Sequence, residues 1–278
     1  MEQRTMIDPE ATTTQKWDQL IEYLEKYKHI GVALSGGVDS ALVCAAAVQA
    51  IGKENVTAFT VNSTMERQKE TDDSRSIANQ LGVNHVLIHF DELKIPDISA
   101  NPPNRCYFCK LHRLKKIMEF GVSYQIDLVV DGSNKDDLGD YRPGRMALTE
   151  LGVQSPLANF NITKREVRQL AKQQDLPVWD KPSTPCLATR LPYGTELTEE
   201  RIRQVAEAED ALHELGFTNC RVRHHESIAR VEVPPDAFEK VLANKNTIVE
   251  KIMACGFQYV TLDLLGFRSG SMNEGLEL

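Results

Sequence analysis

Short apolar runs alternate with helical patterns over the first half of the chain. The runs have the length and composition of strands buried on both faces, and they occupy residues 30–34, 56–62, 83–90 and 127–131. Between them, apolar residues recur every three or four positions, which predicts helices over residues 16–28, 40–51, 70–81 and 109–120. Alternating strands and helices form parallel sheets. We therefore predict an α/β fold, a doubly wound parallel sheet with helices on both faces.

The order of elements changes near residue 185. Residues 180–194 are rich in Pro, Ser and Thr, which indicates a functional loop or linker rather than one regular element. Beyond this loop, apolar spacing predicts helices at residues 198–215 and from 236, and strands at 220–224, 228–233 and 259–262. We therefore predict two domains, residues 1–185 and a smaller C-terminal α+β domain at residues 186–278 for substrate binding and oligomerisation.

One helix carries its own start signal. Thr163 and Glu166 stand three positions apart, as the two members of a capping box do. We therefore predict a helix within residues 161–175 whose N-cap is Thr163.

Size and charge narrow the class of protein. The 278 residues suffice for two hydrophobic cores. The net charge of −8 argues against a broad basic surface for nucleic acid. No apolar run reaches the ~18–20 residues of a membrane span, and the polar N-terminus lacks the apolar core of a secretory signal. We expect a cytoplasmic protein that binds neither membranes nor nucleic acid.

The sequence SGGVDS lies directly between a predicted strand and a predicted helix. Two glycines let the backbone approach phosphate oxygens closely, and the helix N-terminus adds partial positive charge. The serines offer hydroxyl donors, and Asp39 can hold Mg²⁺. We predict that this loop binds the pyrophosphate of Mg-ATP, with Asp39 also acting in catalysis, through Ser35, Gly36, Gly37, Val38, Asp39 and Ser40.

Other loop types fit this sequence less well. No lysine follows the second glycine, as a Walker loop would require, and the Rossmann spacing is absent. The remaining alternative is a tight turn in which Asp39 or Ser40 caps the helix. The position between a strand and a helix favours the phosphate loop.

A second charged segment, residues 131–144, follows the predicted strand at 127–131. Its aspartates could belong to an ordinary solvated loop. The segment leaves the carboxyl end of a strand, however, and parallel α/β sheets bind their ligands there. Glycine allows close approach to a nucleotide, and arginine can contact phosphate with two hydrogen bonds. We predict that the nucleotide site includes Asn62, Gly132, Asp137 and Arg142.

Three of the six cysteines suggest chemistry. Cys106 and Cys109 form a Cys-x-x-Cys pair, and Cys186 lies in the Pro-, Ser- and Thr-rich loop. Such a set can bind zinc with His112, relay persulfide as a dithiol, hold an iron–sulfur cluster, or have no function. Spacing alone leaves these four possibilities open.

The motifs resemble a known superfamily. SGGVDS is similar to the signature of the N-type ATP pyrophosphatases, or PP-loop enzymes. This resemblance implies an adenine nucleotide alpha hydrolase-like fold, and cleavage of ATP into AMP and pyrophosphate as a substrate oxygen becomes adenylated. The segments DGSNKDDLGDYRPG, TRLPYG, RVRHHESIARVEVP and YVTLDLLGFRSGSMN resemble the LarE family, and the likeness covers nearly the whole chain.

The LarE resemblance implies a substrate and a source of sulfur. The two carboxylates of a pyridinium mononucleotide would become thiocarboxylates during nickel-pincer cofactor biosynthesis. Cys186 matches the sulfur-donating cysteine, which some members sacrifice. With the Cys-x-x-Cys pair, the resemblance implies the three-cysteine subtype, in which a [4Fe-4S] cluster on Cys106, Cys109 and Cys186 accepts sulfide from a donor.

The same resemblance assigns further residues and an assembly. It implies that the substrate is held by Arg190, Arg221 and Arg223. It places Glu209 and Glu232 at positions that bind metal between subunits. A homo-oligomer is therefore expected, with a hexamer as the candidate.

Three other functions share parts of this pattern. A tRNA thiolase or another PP-loop sulfurtransferase would use the same adenylation, although the acidic composition argues against tRNA. A GMP- or NAD-type synthetase would transfer ammonia and would not need the three cysteines. A nucleotide-binding or nickel-handling module would bind ATP without turnover.

Overall fold

The computed structural model of the chain describes residues 11–138, 144–268 and 270–273. These residues form two compact units. The first contains, within the described ranges, residues up to Ser63, then Gln68–Phe90 and Cys106–Thr184. The second contains the described residues from Pro185 onwards, together with two earlier segments, Thr64–Arg67 and Asp91–Arg105. The sequence pattern did not predict that these two short earlier segments join the second unit.

The predicted helices and strands lie within a few residues of their predicted positions, whereas the helices at Pro96–Ser99, Gly144–Leu151 and Pro156–Asn159 were not predicted. The helices in the described ranges are α1 (Thr13–Leu24), α2 (Val38–Ile51), α3 (Gln68–Leu81), α4 (Pro96–Ser99), α5 (Arg105–Val122), α6 (Gly144–Leu151), α7 (Pro156–Asn159), α8 (Lys164–Gln173), α9 (Glu199–Glu214), α10 (Phe238–Ala243) and α11 (Lys245–Ala254). The strands in the same ranges are β1 (Ile30–Ala33), β2 (Val56–Asn62), β3 (Asn84–His89), β4 (Leu128–Val130), β5 (Arg221–His225), β6 (Ile228–Glu232) and β7 (Tyr259–Leu262).

The first unit contains a parallel sheet with the order β3-β2-β1-β4. Alternate residues of its strands point to opposite faces. Ile30 and Val32 of β1 pack in one apolar cluster with α1, α2 and α8. Phe59 of β2 packs in another, with Leu114 of α5 and Leu148 of α6. Helices thus cover both faces, and the predicted doubly wound sheet is confirmed.

The strand order positions the ligand edge of this sheet. The chain moves from β1 to β2 and β3 on one side, and then returns to place β4 on the other side of β1. The loops after β1 and β4 therefore diverge at their carboxyl ends, which is where open α/β sheets bind ligands. Residues 34–37 leave β1 there, and residues 131–134 leave β4.

The second unit is built on a three-stranded sheet. Strands β5 and β6 pair antiparallel, and β6 and β7 pair parallel. Val222 and Val231 lie opposite each other and are buried, and α9 packs on β5. This unit is the predicted smaller α+β region.

Two helix starts test the predictions at single residues. Helix α2 begins at Val38, two residues earlier than predicted, and its N-cap Gly37 makes no side-chain capping bond. The alternative in which Asp39 or Ser40 caps the helix is therefore wrong. Helix α8 begins after Thr163, and both bonds of the capping box with Glu166 are present, which confirms that prediction.

Replacement of Glu166 by Gln should destabilise the first unit. The carboxylate of Glu166 lies 2.7 Å from Lys16 Nζ, and both side chains are about one-tenth exposed. Removing one partner of a buried pair leaves the other charge uncompensated, so we expect a loss of about 3 kcal/mol in the free energy of unfolding, measured in urea. The control Glu119→Gln breaks an exposed pair with Lys116 and should cost less than about 0.5 kcal/mol.

The effect of Glu166→Gln should depend on pH. Burial would raise the pKa of Glu166, but hydrogen bonds from Lys16 and Thr163 outweigh it and lower the pKa from 4.5 to about 2. A carboxyl group with a lowered folded-state pKa stabilises the fold fully above its unfolded pKa, and this stabilisation is lost as the pH falls. The difference between wild type and variant should be largest above pH 4.5 and shrink towards pH 2. An undiminished difference near pH 2 would contradict this assignment.

Candidate functional site

The phosphate loop is closed by the hydroxyl of Ser40. Its Oγ accepts a hydrogen bond from the N–H of Ser35 at 3.1 Å and donates to the carbonyl of Gly37 at 3.1 Å. The two serine hydroxyls are also 3.1 Å apart. The first N–H groups of α2 have no acceptor within the helix, as in every α-helix. The loop therefore presents these N–H groups and the Ser35 hydroxyl at a helix N-terminus, an arrangement suited to phosphate. The Ser40 hydroxyl serves to close the loop.

Two glycines bring other segments against this loop. Gly36 has a φ of +77°, and a Cβ atom there would lie 2.3 Å from the carbonyl oxygen of Glu70. A Cβ atom on Gly132 would lie 2.6 Å from the backbone nitrogen of Ser40. The start of α3 and the segment after β4 can approach the loop so closely only because both positions are glycine.

The predicted Mg²⁺ ligand Asp39 connects three segments of the first unit. Its carboxylate accepts a hydrogen bond from Asn134 Nδ2 at 3.0 Å and forms an ion pair with Lys164. The backbone N–H of Asn134 in turn donates to Asp137 at 2.9 Å. Asp137 is thereby linked to the loop through Asn134. A carboxylate in this position has the oxygen chemistry that Mg²⁺ prefers.

Two lysines at the loop were missed by the sequence reasoning. Lys164 is the first residue of α8, and its contact with Asp39 spans 125 residues of sequence. The Nζ of Lys181 donates to the carbonyl of Gly36 at 3.0 Å and to the carboxylates of Glu70 and Asp73. The capping box could have placed Lys164 at a helix start, but no local signal identifies either partner.

The remaining predicted nucleotide residues lie in different places. Asn62 ends β2, and its side-chain oxygen accepts a hydrogen bond from Thr71 in α3 at 3.4 Å. Arg142 lies outside the described residues. Asp131, which directly precedes Gly132, is buried. It accepts hydrogen bonds from Lys110, at 2.7 Å, and from two serines. Burial would raise the pKa of Asp131, but Lys110 and the serines lower it below its usual value.

The three cysteines lie at the beginnings of two helical segments. Cys106 and Cys109 are the second and fifth residues of α5, with Cys106 exposed and Cys109 half-buried. Cys186 is half-buried and immediately precedes a 3-10 turn at Leu187–Arg190. Across the described part of the chain, no group of three His, Cys, Asp or Glu side chains is arranged to hold a metal ion. His112, the alternative zinc ligand, stacks on Phe90 with ring centroids 6.4 Å apart.

Residues adjacent to these cysteines contact each other within the second unit. Arg105, directly before Cys106, donates to the carbonyl of Ala188 at 3.2 Å. Asn101 Nδ2 donates to the carbonyl of Pro192 at 2.8 Å. The segment that leads into the Cys-x-x-Cys pair is therefore tied to the segment that follows Cys186.

The three predicted substrate arginines differ in their surroundings. Arg190 is 1% exposed and forms two hydrogen bonds with the carboxylate of Glu209. Arg223 is buried against Glu232 at 2.7 Å. Arg221 is half-buried, and within the described residues it has no carboxylate at ion-pair distance. Glu209 and Glu232, predicted as metal ligands, are thus paired with arginines.

Arg221 is the arginine best placed to accept an anion. Its guanidinium lies over the ring of Phe267 at 5.3 Å and donates to the Cys220 carbonyl. Burial lowers the pKa of Arg221, the nearby charges of Arg190 and Arg223 lower it further, and Glu209 opposes this shift. A half-buried guanidinium without a carboxylate partner suits the binding of a phosphate or carboxylate.

Comparison with known proteins agrees with this geometry. A family model described as asparagine synthase matches residues 22–102, which include the phosphate loop. The pyridinium-3,5-bisthiocarboxylic acid mononucleotide synthase of Lactiplantibacillus plantarum is 38% identical over 266 residues, 96% of each chain. The chain belongs to the LarE family of PP-loop enzymes. It is therefore an ATP-dependent sulfurtransferase.

Two further proteins of similar length resemble this chain. An uncharacterized protein of Synechocystis sp. is 40% identical over 263 residues, 94% of this chain and 98% of its own. An uncharacterized protein of Methanocaldococcus jannaschii is 31% identical over 244 residues, 88% of this chain and 92% of its own. The LarE likeness thus extends through both units. None of the helices in the described ranges combines the length and apolar character needed to cross a membrane.

Replacement of Gly132 by Ala should weaken ATP binding. The added Cβ would lie 2.6 Å from Ser40 N and 2.9 Å from Ser40 Cα, so the backbone after β4 must move away from α2. Because displacements of about 1 Å cost up to about 100-fold in a positioned site, we expect at least roughly a tenfold loss of ATP affinity, measured by calorimetry.

Gly121→Ala is the matched control for this experiment. A Cβ atom on Gly121 has its nearest neighbours at 3.5 Å, on Ile126, an ordinary contact distance. This variant should bind ATP as the wild type does. Unchanged affinity in Gly132→Ala, or an equal loss in both variants, would show that the close approach after β4 does not shape the ATP site.

Proposed function

We propose that the protein adenylates the carboxylates of pyridinium-3,5-biscarboxylic acid mononucleotide and converts them to thiocarboxylates, a reaction of nickel-pincer cofactor biosynthesis. The observation that carries this proposal is the likeness, over almost the full length of both chains, to the synthase of the bisthiocarboxylic product. The phosphate loop closed by Ser40 supports the ATP-dependent half of the reaction.

The first half of the reaction belongs to the phosphate loop. The N–H groups at the start of α2, that of Ser40 included, and the hydroxyl of Ser35 hold the β- and γ-phosphates. A substrate carboxylate oxygen then attacks the α-phosphorus, the bond to the β-phosphate oxygen breaks, and pyrophosphate leaves. Mg²⁺ held by Asp39 would supply the charge that neutralises this leaving group. Lys164, next to Asp39, adds a second positive charge there.

The second half of the reaction replaces an oxygen by sulfur. A sulfur nucleophile attacks the carbonyl of the acyl-adenylate, the bond to the phosphate oxygen breaks, and AMP leaves. We assign sulfur delivery to Cys186. If Cys186 supplies its own sulfur, elimination from its Cβ afterwards releases the thiocarboxylate and leaves dehydroalanine.

A [4Fe-4S] cluster would allow repeated sulfur transfer. The donor set fits, because three thiolates can hold such a cluster and leave one iron open to an external sulfide donor. We assign these ligands to Cys106, Cys109 and Cys186. The number of thiolates supports this choice, since the Cys-x-x-Cys pair and Cys186 supply three.

We assign the substrate phosphate to Arg221 in the first place. Arg223 lies on the same face of β5, because the two are two residues apart in a strand, and would assist through its charge while Glu232 and the Thr189 carbonyl hold its side chain. We also propose that the protein is a homo-oligomer, with a hexamer as the expected size, measured by light scattering in solution.

Purified enzyme with Mg-ATP, the biscarboxylic mononucleotide and sulfide should form AMP, pyrophosphate and a thiocarboxylate product. Mass spectrometry measures the replacement of oxygen by sulfur. AMP formation with no sulfur in the product, and equal turnover with ammonia, would overturn the proposal in favour of ammonia transfer. Saturable AMP formation only on addition of tRNA would favour a thiolase.

Iron content should distinguish the two sources of sulfur. After anaerobic purification and reconstitution, we expect about four irons per chain, lost on replacement of each ligand by Ala at Cys106, Cys109 or Cys186. The control Cys255→Ala changes another half-buried cysteine and should retain the iron. Iron that is absent, or unaffected by these variants, would rule out the cluster. Cys186 would then have to lose the mass of one H₂S on turnover.

A further inference from the structure

The turn that carries Cys186 is held by one buried guanidinium. Arg190 is 1% exposed, and each of its three nitrogens donates a hydrogen bond. Nε and Nη2 bind the two carboxylate oxygens of Glu209 at 2.8 and 3.0 Å. Nη1 donates to the carbonyl of Pro185 at 2.9 Å and to that of Cys186 at 3.3 Å. Arg190 thus joins the buried carboxylate of Glu209 on α9 to two backbone carbonyls, that of Pro185 before Cys186 and that of Cys186 itself.

Thr189 completes this connection. Its hydroxyl accepts from Arg190 Nη1 at 2.9 Å and donates to the Cys186 carbonyl at 2.7 Å. The carbonyl of Thr189 accepts from Arg223 at 3.1 Å. The Cys186 carbonyl therefore has three donors, namely the N–H and the hydroxyl of Thr189 and Nη1 of Arg190, and the turn that follows it is held at its far end as well.

Glu209 is itself tightly held. It lies in α9, is 1% exposed, and also accepts from Arg67 and from the backbone N–H of Val222. Burial would raise the pKa of Glu209, but the hydrogen bonds and charge of Arg190 outweigh it and lower the pKa. The carboxylate stays ionised, so the pair with Arg190 persists at neutral pH. Moving either member would strand a buried charge.

We infer that Arg190 is a positioning residue for Cys186, fixing through Glu209 the backbone that aims the sulfur-carrying thiol. This inference rests on the proposed role of Cys186 in sulfur transfer. It gives Arg190 a different task from the substrate binding that the sequence resemblance implies. A guanidinium that is 1% exposed, with every nitrogen already donating, has no face available for a substrate phosphate.

Two variants separate the positioning role from its alternatives. Arg190→Lys keeps the positive charge beside Glu209, but an ammonium group cannot span a carboxylate and two carbonyls. Thr189→Val keeps the ion pair and removes only the hydroxyl that links it to Cys186. Arg203→Lys is the control, because Arg203 forms an exposed pair with Glu207 on the same helix as Glu209.

The first readout is steady-state sulfur transfer by the full-length enzyme. In Arg190→Lys, kcat should fall roughly 10- to 100-fold while the KM for the nucleotide substrate and ATP–pyrophosphate exchange stay near wild-type values. Thr189→Val should show a smaller loss of the same kind, and Arg203→Lys none. A raised KM with unchanged kcat would instead show that Arg190 binds substrate, and would overturn the inference.

The second readout requires no turnover. The rate at which iodoacetamide alkylates Cys186, followed by peptide mass spectrometry, should change by at least about threefold in Arg190→Lys, because accessibility controls thiol reactivity. Cys255 in the same digest is the internal reference. Unchanged alkylation and unchanged kcat in both variants, with only a lower melting temperature, would reduce Arg190 to a structural residue and overturn the inference.

The two readouts also separate this inference from the proposed function. If wild-type enzyme transfers no sulfur, or Cys186→Ala transfers it normally, the proposed function fails. The alkylation rate still decides whether Arg190 positions Cys186.

Discussion

The contact between the end of β4 and the first turn of α2 is the constraint on which the nucleotide site depends. After forming β1, β2 and β3, the chain returns to place β4 on the free side of β1. It then leaves the sheet next to the phosphate loop. At this point the backbone of Gly132 approaches that of Ser40 so closely that no side chain fits between them. The approach brings Asn134 within 3.0 Å of Asp39, although 95 residues separate the two in sequence. Without this approach, Asp39 would lose its contact with the segment after β4.

Ion pairs that involve a buried carboxylate hold irregular segments in each unit. The loop after β4 is tied to α5 by Asp131 and Lys110, and the turn after Cys186 is tied to α9 by Arg190 and Glu209. Segments outside helices and strands have few backbone hydrogen bonds of their own to maintain their conformation. Buried charges are poor sources of net stability, but each permits only a narrow set of positions for its partner. Geometric precision is what an adenylating and sulfur-transferring enzyme requires of its loops.

The two units supply different parts of the chemistry expected of a LarE enzyme. The first contains the phosphate loop, Asp39 and the acidic segment after β4. The second contains Cys186 and the arginines that suit an anionic substrate. The segments 64–67 and 91–105 belong to the second unit although they lie within the sequence of the first. Apolar periodicity could not assign them, because it reports burial and not which core a residue joins.

Local sequence determined the sheet, the phosphate loop and the capping box of α8. Each depends on residues a few positions apart: buried runs that must pair, glycines that must turn, and Thr163 beside Glu166. The tertiary structure alone decided which charges meet. Lys164 reaches Asp39 across 125 residues, and Lys181 reaches the Gly36 carbonyl across 145. The family resemblance implies that Arg190 binds substrate, yet in the folded protein its buried side chain pairs with Glu209. Burial determines this pairing, because a guanidinium removed from water must form its hydrogen bonds with acceptors inside the protein.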